Sequence, residues 1–169
     1  MLKQPRWNLV IGAVALLAAS LAALPAAAAD WTLRLDGAGP LKIGMRFDTV
    51  NKILGEHMQR VPKGERVRAN CFQVEPSAQP GLLLMFVDDR LQRIDVMEEG
   101  IVSDRGIALG DPADKVRRSY GEAVRAEPLH LTVRTGGDQY AIRFGTGDGK
   151  VDTMYAGAWK EVQQAEGCQ

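Results

Sequence analysis

"LKIGMRFDTVNKILGE", Leu41 to Glu56, is followed 66 positions later by "IALGDPADKVRRSYGE", Ile107 to Glu122. Gly44 matches Gly110, Asp48 matches Asp114, Val50 matches Val116, and Gly55-Glu56 matches Gly121-Glu122, all at that offset. Phe47, Val50 and Leu54 in the first copy, and Ala113, Val116 and Tyr120 in the second, fall at helical spacing, so each copy predicts a short helix with one apolar face. The glycine after each face can adopt the left-handed conformation that ends a helix. Asp111 is the expected N-cap of the second helix, with Pro112 in its first turn where a missing N–H does no harm. The first copy begins at Arg46 and has no comparable cap.

Working outward, the far ends of the two copies also pair. "RIDVMEEG" at Arg93 to Gly100 aligns with "KVDTMYAG" at Lys150 to Gly157 at an offset of 57. Just before them stand the apolar runs "LLLMFV", Leu82 to Val87, and "YAIRF", Tyr140 to Phe144, each followed by a hairpin signal: Asp88-Asp89-Arg90 in one case and "GTGDG" in the other. A further extended stretch precedes each hairpin, "RVRANCFQV" and "HLTVR", across the loop-forming "EPSAQPG" and "TGGD". A unit with one three-turn helix cannot cover its own sheet face, so two units packed together make the better core. The expected fold is α+β: two helix-strand-strand-strand repeats, about 39–100 and 104–158, forming one antiparallel sheet of roughly six strands with two short helices on one face. A tail, 159–169, completes a single domain spanning 30–169.

The "IGM" at Ile43 to Met45, the short helix with Val50 and the closing Leu54-Gly55 resemble the opening of the small outer-membrane assembly lipoprotein (SmpA/OmlA) domain. Its tandem use resembles the β-lactamase inhibitory protein fold. The likeness covers the two helix openings and their hairpins. It implies a role in contact with a protein partner, inhibitor-like or as an accessory of envelope assembly. The assembly lipoprotein carries one unit and a lipidated Cys, whereas this chain carries two units and no Cys at that point.

The first residues do not fit the domain pattern. Lys3 and Arg6, then the uncharged apolar stretch Val10 to Leu24, then Ala27-Ala28-Ala29 form the three parts of a secretory signal peptide. Cleavage after Ala29 is expected, which leaves no stable membrane span and places the product in the periplasm or the medium. Of 21 basic and 21 acidic residues, Lys3 and Arg6 leave with the leader, so 19 basic and 21 acidic remain. That balance offers no overall field for nucleic acid. In an oxidising compartment the two cysteines, Cys71 and Cys168, are expected to bond to each other, for which chain-entropy models give about 4–5 kcal/mol.

No catalytic set is legible. His57 and His130 are the only histidines and belong to no metal-ligand spacing, so no metal or other cofactor is expected. G-x-S-x-G, Walker and C-x-x-C patterns are missing from the sequence, and Ser77, Ser103 and Ser119 have no base at a suggestive spacing. "GTGDGKVD" lacks the alternating acids and twelfth-position Glu of a calcium loop and reads as a hairpin turn. Glu98-Glu99 and Asp88-Asp89 are adjacent acids, which point apart in a strand and are solvated in a turn.

Strand alternation then predicts the faces. Ile94, Val96, Val151 and Thr153 should pack under the helices, as should Leu84, Phe86, Ile142 and Phe144. The other side should carry Arg93, Asp95 and Met97, Lys150, Asp152 and Met154, joined by Met85 and Arg143. Adaptable methionines ringed by charge are suited to a partner contact. The reading is an exported, non-enzymatic protein-binding module of the bacterial envelope. The alternative is a periplasmic enzyme or small-ligand carrier with its site in the groove between the repeats, and a concave pocket gathering His, acid and Arg side chains would favour it.

Overall fold

A computed structural model describes residues 31–134, 137 and 139–169. The expected leader lies outside the described residues.

Three two-residue strands, β1 (Leu33–Arg34), β2 (Gly37–Ala38) and β3 (Leu41–Lys42), make a small antiparallel sheet ahead of the first helix, α1 (Phe47–Leu54). Then come β4 (Cys71–Val74), β5 (Leu82–Val87) and β6 (Arg90–Val96). The second helix, α2 (Ala113–Tyr120), leads to β7 (Val124–Glu127), β8 (His130–Arg134), β9 (Tyr140–Gly145) and β10 (Thr153–Ala158). One helical turn, α3 (Trp159–Val162), follows. The chain is α+β, and its main sheet is antiparallel with strand order β4-β5-β6-β10-β9-β8-β7.

The helices lie where the repeated stretches put them. In α1 Phe47 and Val50 are buried and Asp48 is exposed; in α2 Ala113 and Val116 are buried. Gly55 ends α1 at φ 67°, and the Glu56 N–H donates to the Asn51 carbonyl (3.0 Å), closing the last turn as a left-handed cap does. The start of α2 departs from expectation. Pro112, not Asp111, occupies the N-cap position, with ψ 135°, and no side chain caps the helix. The Asp111 carboxylate turns back instead, accepting from the Ala108 N–H (2.8 Å) and pairing with Lys115 (2.7 Å).

The sheet has one strand more than the expected six. β7, "VRAE", is an edge strand with no fully buried residue, so it lacks the apolar alternation that marks a half-buried strand. It reaches β8 through the two-residue turn Pro128-Leu129, since Glu127 pairs with His130.

Under the helices the sheet presents Leu84, Phe86, Ile94, Ile142 and Phe144, all fully buried in one cluster with Phe47, Val50, Leu33, Leu41 and Val116. Phe47, Phe72 and Phe86 meet at centroid distances of 5.0–5.4 Å. Arg60 lies over the Phe47 ring (4.4 Å) and is clamped by Asp48 (2.8 Å) and Asp89 (2.7 Å).

The register of β10 corrects the sequence alignment. The Gly44 N–H donates to the Leu91 carbonyl (2.7 Å) and the Leu91 N–H to Met45 (2.8 Å); likewise the Gly110 N–H donates to Val151 (2.7 Å) and the Val151 N–H to Asp111 (2.8 Å). Since Gly44 matches Gly110, these bonds set Leu91 opposite Val151 in the comparison, an offset of 60 rather than 57. A difference of three is odd, and side chains alternate with period two, so within β10 itself the faces predicted through the shorter offset are exchanged. Met154 therefore stands in the core beside Val96, 1% exposed, instead of on the open side. Thr153, expected under the helices, is exposed on the opposite face, while Val151 is buried as expected.

Candidate functional site

The face of the sheet away from the helices is built at the β6–β10 junction. Asp95 pairs with Tyr155 and Arg93 with Gly157, so Arg93, Asp95 and Tyr155 share that face. Met85 pairs with Arg93, and Arg143 with Tyr155, placing both there too. A side chain at Gly157 would have no room, because the Gln92 carbonyl oxygen lies 2.1 Å from where a Cβ would stand.

This face is not open. The chain turns through α3 and runs back across it to the Cys71–Cys168 disulfide on edge strand β4. Two guanidinium groups bond the carbonyls at and beyond the end of α3, where the Glu161 carbonyl also accepts from the Gln164 N–H (3.3 Å). Arg93 donates to Glu161 (3.5 Å), Gln164 and Ala165 (3.3 Å); Arg143 donates to Gln163 (3.0 Å) and Val162 (3.4 Å). The same arginines are held by carboxylates, Arg93 by Asp95 (Nε to oxygens at 2.9 and 3.0 Å) and Arg143 by Glu127. Arg93 also lies over the Tyr155 ring at 3.8 Å. Buried Glu161 pairs with Arg68 (3.1 Å), and Val162 packs with Tyr155, Ala141 and Trp159 in a second small cluster.

Beside the tail the face remains hollow. A groove of about 550 Å³ has Leu83, Asp95, Thr153 and Tyr155 along its floor. Ala165, Glu166 and Gly167 of the tail line it on one side, and His130, Gly147 and Asp152 on the other. Met97 and Leu129 also line it, 58% and 64% exposed. Burial pushes the Asp95 carboxyl up from its ordinary value, against the pull of Arg93. Burial likewise pushes the Tyr155 hydroxyl up, opposed by Arg143 and Arg93. Burial first and the Arg143 charge second hold the His130 imidazole below its ordinary value, so it is neutral near pH 7. Among the described residues no three His, Cys, Asp or Glu side chains converge tightly enough to hold a metal ion.

The residues expected to form an exposed charged and methionine face are thus divided. Met85, Arg93 and Asp95 are on that side but buried, because sheet neighbours and the tail cover them. Arg143 is there, half-buried against Glu127 and the tail. Lys150 and Asp152 are exposed but stand in the loop before β10, and Asp152 accepts from the Gly147 N–H (2.8 Å). Met97 is exposed, and Met154 is on the helix side. The expected disulfide is formed. Sequence reading set aside His130 and passed over Tyr155, Glu166 and Leu129. The cysteine pairing carried a usable signal: Cys71 is in β4 at one edge and α3 follows β10 at the centre, so a bond to Cys168 draws the tail across the sheet.

No family model matches the chain, and no curated protein matches it. Among solved structures it is similar to the crystal structure of the uncharacterized protein yfeY from Escherichia coli, at 14% identity and a TM-score of 0.45, over 75% of this chain and 99% of that one.

Proposed function

We propose that this chain is an exported binding protein without catalytic activity, built from two related helix-and-hairpin units, whose site is the groove where the last strands of the two units meet. The observation that carries this reading is the groove itself. A concavity within the size range of small-ligand sites, apolar over much of its lining and ringed by His130, Asp95, Asp152 and Glu166, lies at the β6–β10 junction. The recurring pair of hydrogen bonds at Gly44–Leu91 and Gly110–Val151 supports the two-unit origin. The disulfide suits an oxidising compartment. For a non-catalytic role, the buried Ser103 hydroxyl is engaged by the Ile107 N–H (3.2 Å) and Tyr120 (3.0 Å) rather than by a base.

The test is a small-molecule screen by thermal shift against the wild type and Thr153→Trp. Thr153 is exposed on the groove floor, so the indole fills the space without entering the core. Ligands should raise the melting temperature of the wild type and not of the variant; equal shifts in both would move the site elsewhere. Exposed Met97 and Leu129 support a second reading, contact with a protein partner of the envelope at the groove mouth. That reading requires Met97→Ser to weaken a defined partner's binding while Thr153→Trp does so only by bulk.

A further inference from the structure

We infer that the groove takes a small organic cation, an ammonium group carried on an apolar stem; this rests on the groove being the binding site. The charges around the groove are not balanced within the protein. Arg93 is the only guanidinium among the described residues that line it, and all five of its N–H groups are engaged: Nε and one Nη2 hydrogen with Asp95, the other with Ala165, and the Nη1 hydrogens with Gln164 and Glu161. It is 3% exposed and has no donor left for an anion. That leaves His130, neutral near pH 7, and two carboxylates without a cationic partner. Glu166 makes no hydrogen bond or ion pair among the described residues, and Asp152 is bonded through one oxygen to a backbone N–H. These acids stand on opposite walls, one on the tail and one on the turn before β10.

The apolar half of the ligand follows from the same groove. Leu83 lies on the floor, while Met97 and Leu129 are large apolar side chains left in water at its edge. Covering them stabilises a complex by roughly 25 cal/mol per Å² of apolar surface removed. An anionic ligand would meet two carboxylates and, among the described lining residues, no free donor of positive charge. A bare metal ion would need converging ligands, and the described acids and His130 do not converge. An ammonium on an alkyl stem satisfies both the walls and the floor.

Calorimetric titration with three probes sharing one stem, n-octylammonium, n-octanoate and neutral n-octyl glucoside, tests this on the disulfide-bonded protein. Octylammonium should bind about tenfold more tightly than octanoate, as two partly exposed charge pairs allow. Glu166→Gln, whose side chain supports nothing else, should remove part of that preference, Glu166→Gln with Asp152→Asn most of it, and Thr153→Trp should abolish binding of every probe. Octanoate or octyl glucoside binding as tightly as octylammonium, and lost in Thr153→Trp, would overturn the cation assignment and leave the groove site standing. Octylammonium binding that survives Thr153→Trp would overturn both. Failure of all three probes to bind would overturn the ligand class alone, the groove then being judged by the screen.

Discussion

On the helix side of the sheet, Leu84, Phe86, Ile94, Ile142 and Phe144 disappear beneath Phe47, Val50, Val116 and the small N-terminal sheet. On the other side the same strands present Met85, Arg93, Asp95, Arg143 and Tyr155, and their cover is a tail held by guanidinium–carbonyl bonds and one disulfide. The first cover depends on area and packing, is non-directional, and tolerates repacking among similar volumes. The second depends on a few directional bonds in a poorly hydrated place, where loss of one partner strands another. The groove lies beside the second cover, where no helix among the described residues completes the packing.

The largest expected effect separates the two covers directly. Replacing Cys71 and Cys168 together by Ser frees a loop with a sequence separation of 97 and should lower stability by about 4–5 kcal/mol in chemical denaturation. Hydrogen exchange should then show the tail amides, Trp159 to Gly167, losing protection before those of α1 and α2. Equal loss on both sides would mean that the sheet's two covers unfold as one.

Phe86→Ala opens a cavity against Phe47 and Phe72 and should cost about 3–5 kcal/mol. Its denaturation midpoint should fall with little change in slope, and the tail amides should keep their order of exchange. Arg93→Met leaves Asp95 buried without its cation and the Gln164 and Ala165 carbonyls without their guanidinium donor, a loss of about 3 kcal/mol. Adding Asp95→Leu should recover much of that loss, because removing both charges is less damaging than removing one. A double variant as unstable as the sum of both singles would deny the coupling on which the contrast of the two faces rests.

The smallest expected effect is in acid. The hydrogen bond from Arg60 holds the Asp89 carboxyl below its ordinary value, and Lys42 does the same for Asp36. A depressed folded-state value contributes stability that is present above about pH 4 and is lost as pH falls through the folded value. Asp95 has the opposite sign: burial raises its value, so its contribution declines as pH rises through the carboxylate range. Asp89→Asn should lower the neutral region of a stability–pH curve slightly and flatten its acid limb, the two proteins converging at low pH. An unchanged acid limb would show that Arg60 does not hold Asp89 in solution.

Much of the helix side was legible because its signals are local. Phe47 with Val50, and Ala113 with Val116, advertise their burial through spacing alone, and Gly55 marks a stop by its freedom at positive φ. Asp88-Asp89 was readable as a turn, and both residues take positive φ there. Most of the candidate site was not legible. Arg93 and Asp95 were assigned the right face and the wrong exposure, because strand alternation says which way a side chain points and nothing about what later lies on it. Glu166 and Leu129 sit in a tail and a turn with no periodic pattern.

The sequence by itself determined two amphipathic helices, six strands of the main sheet and the pairing of its only two cysteines, since each depends on neighbours within a few residues or on there being one partner to choose. Tertiary structure alone decided the face of Met154. "RIDVM" and "KVDTM" look equivalent, but the hydrogen bonds between Val151 and the chain at Gly110 and Asp111 fix a register that differs from that likeness by three residues. In a lattice of period two, an odd slip exchanges inside for outside, and local sequence has no means of counting residues against a distant strand. The groove follows from the same long-range choices: β10 beside β6, and a tail drawn by Cys168 toward Cys71 across the face that β10 leaves uncovered.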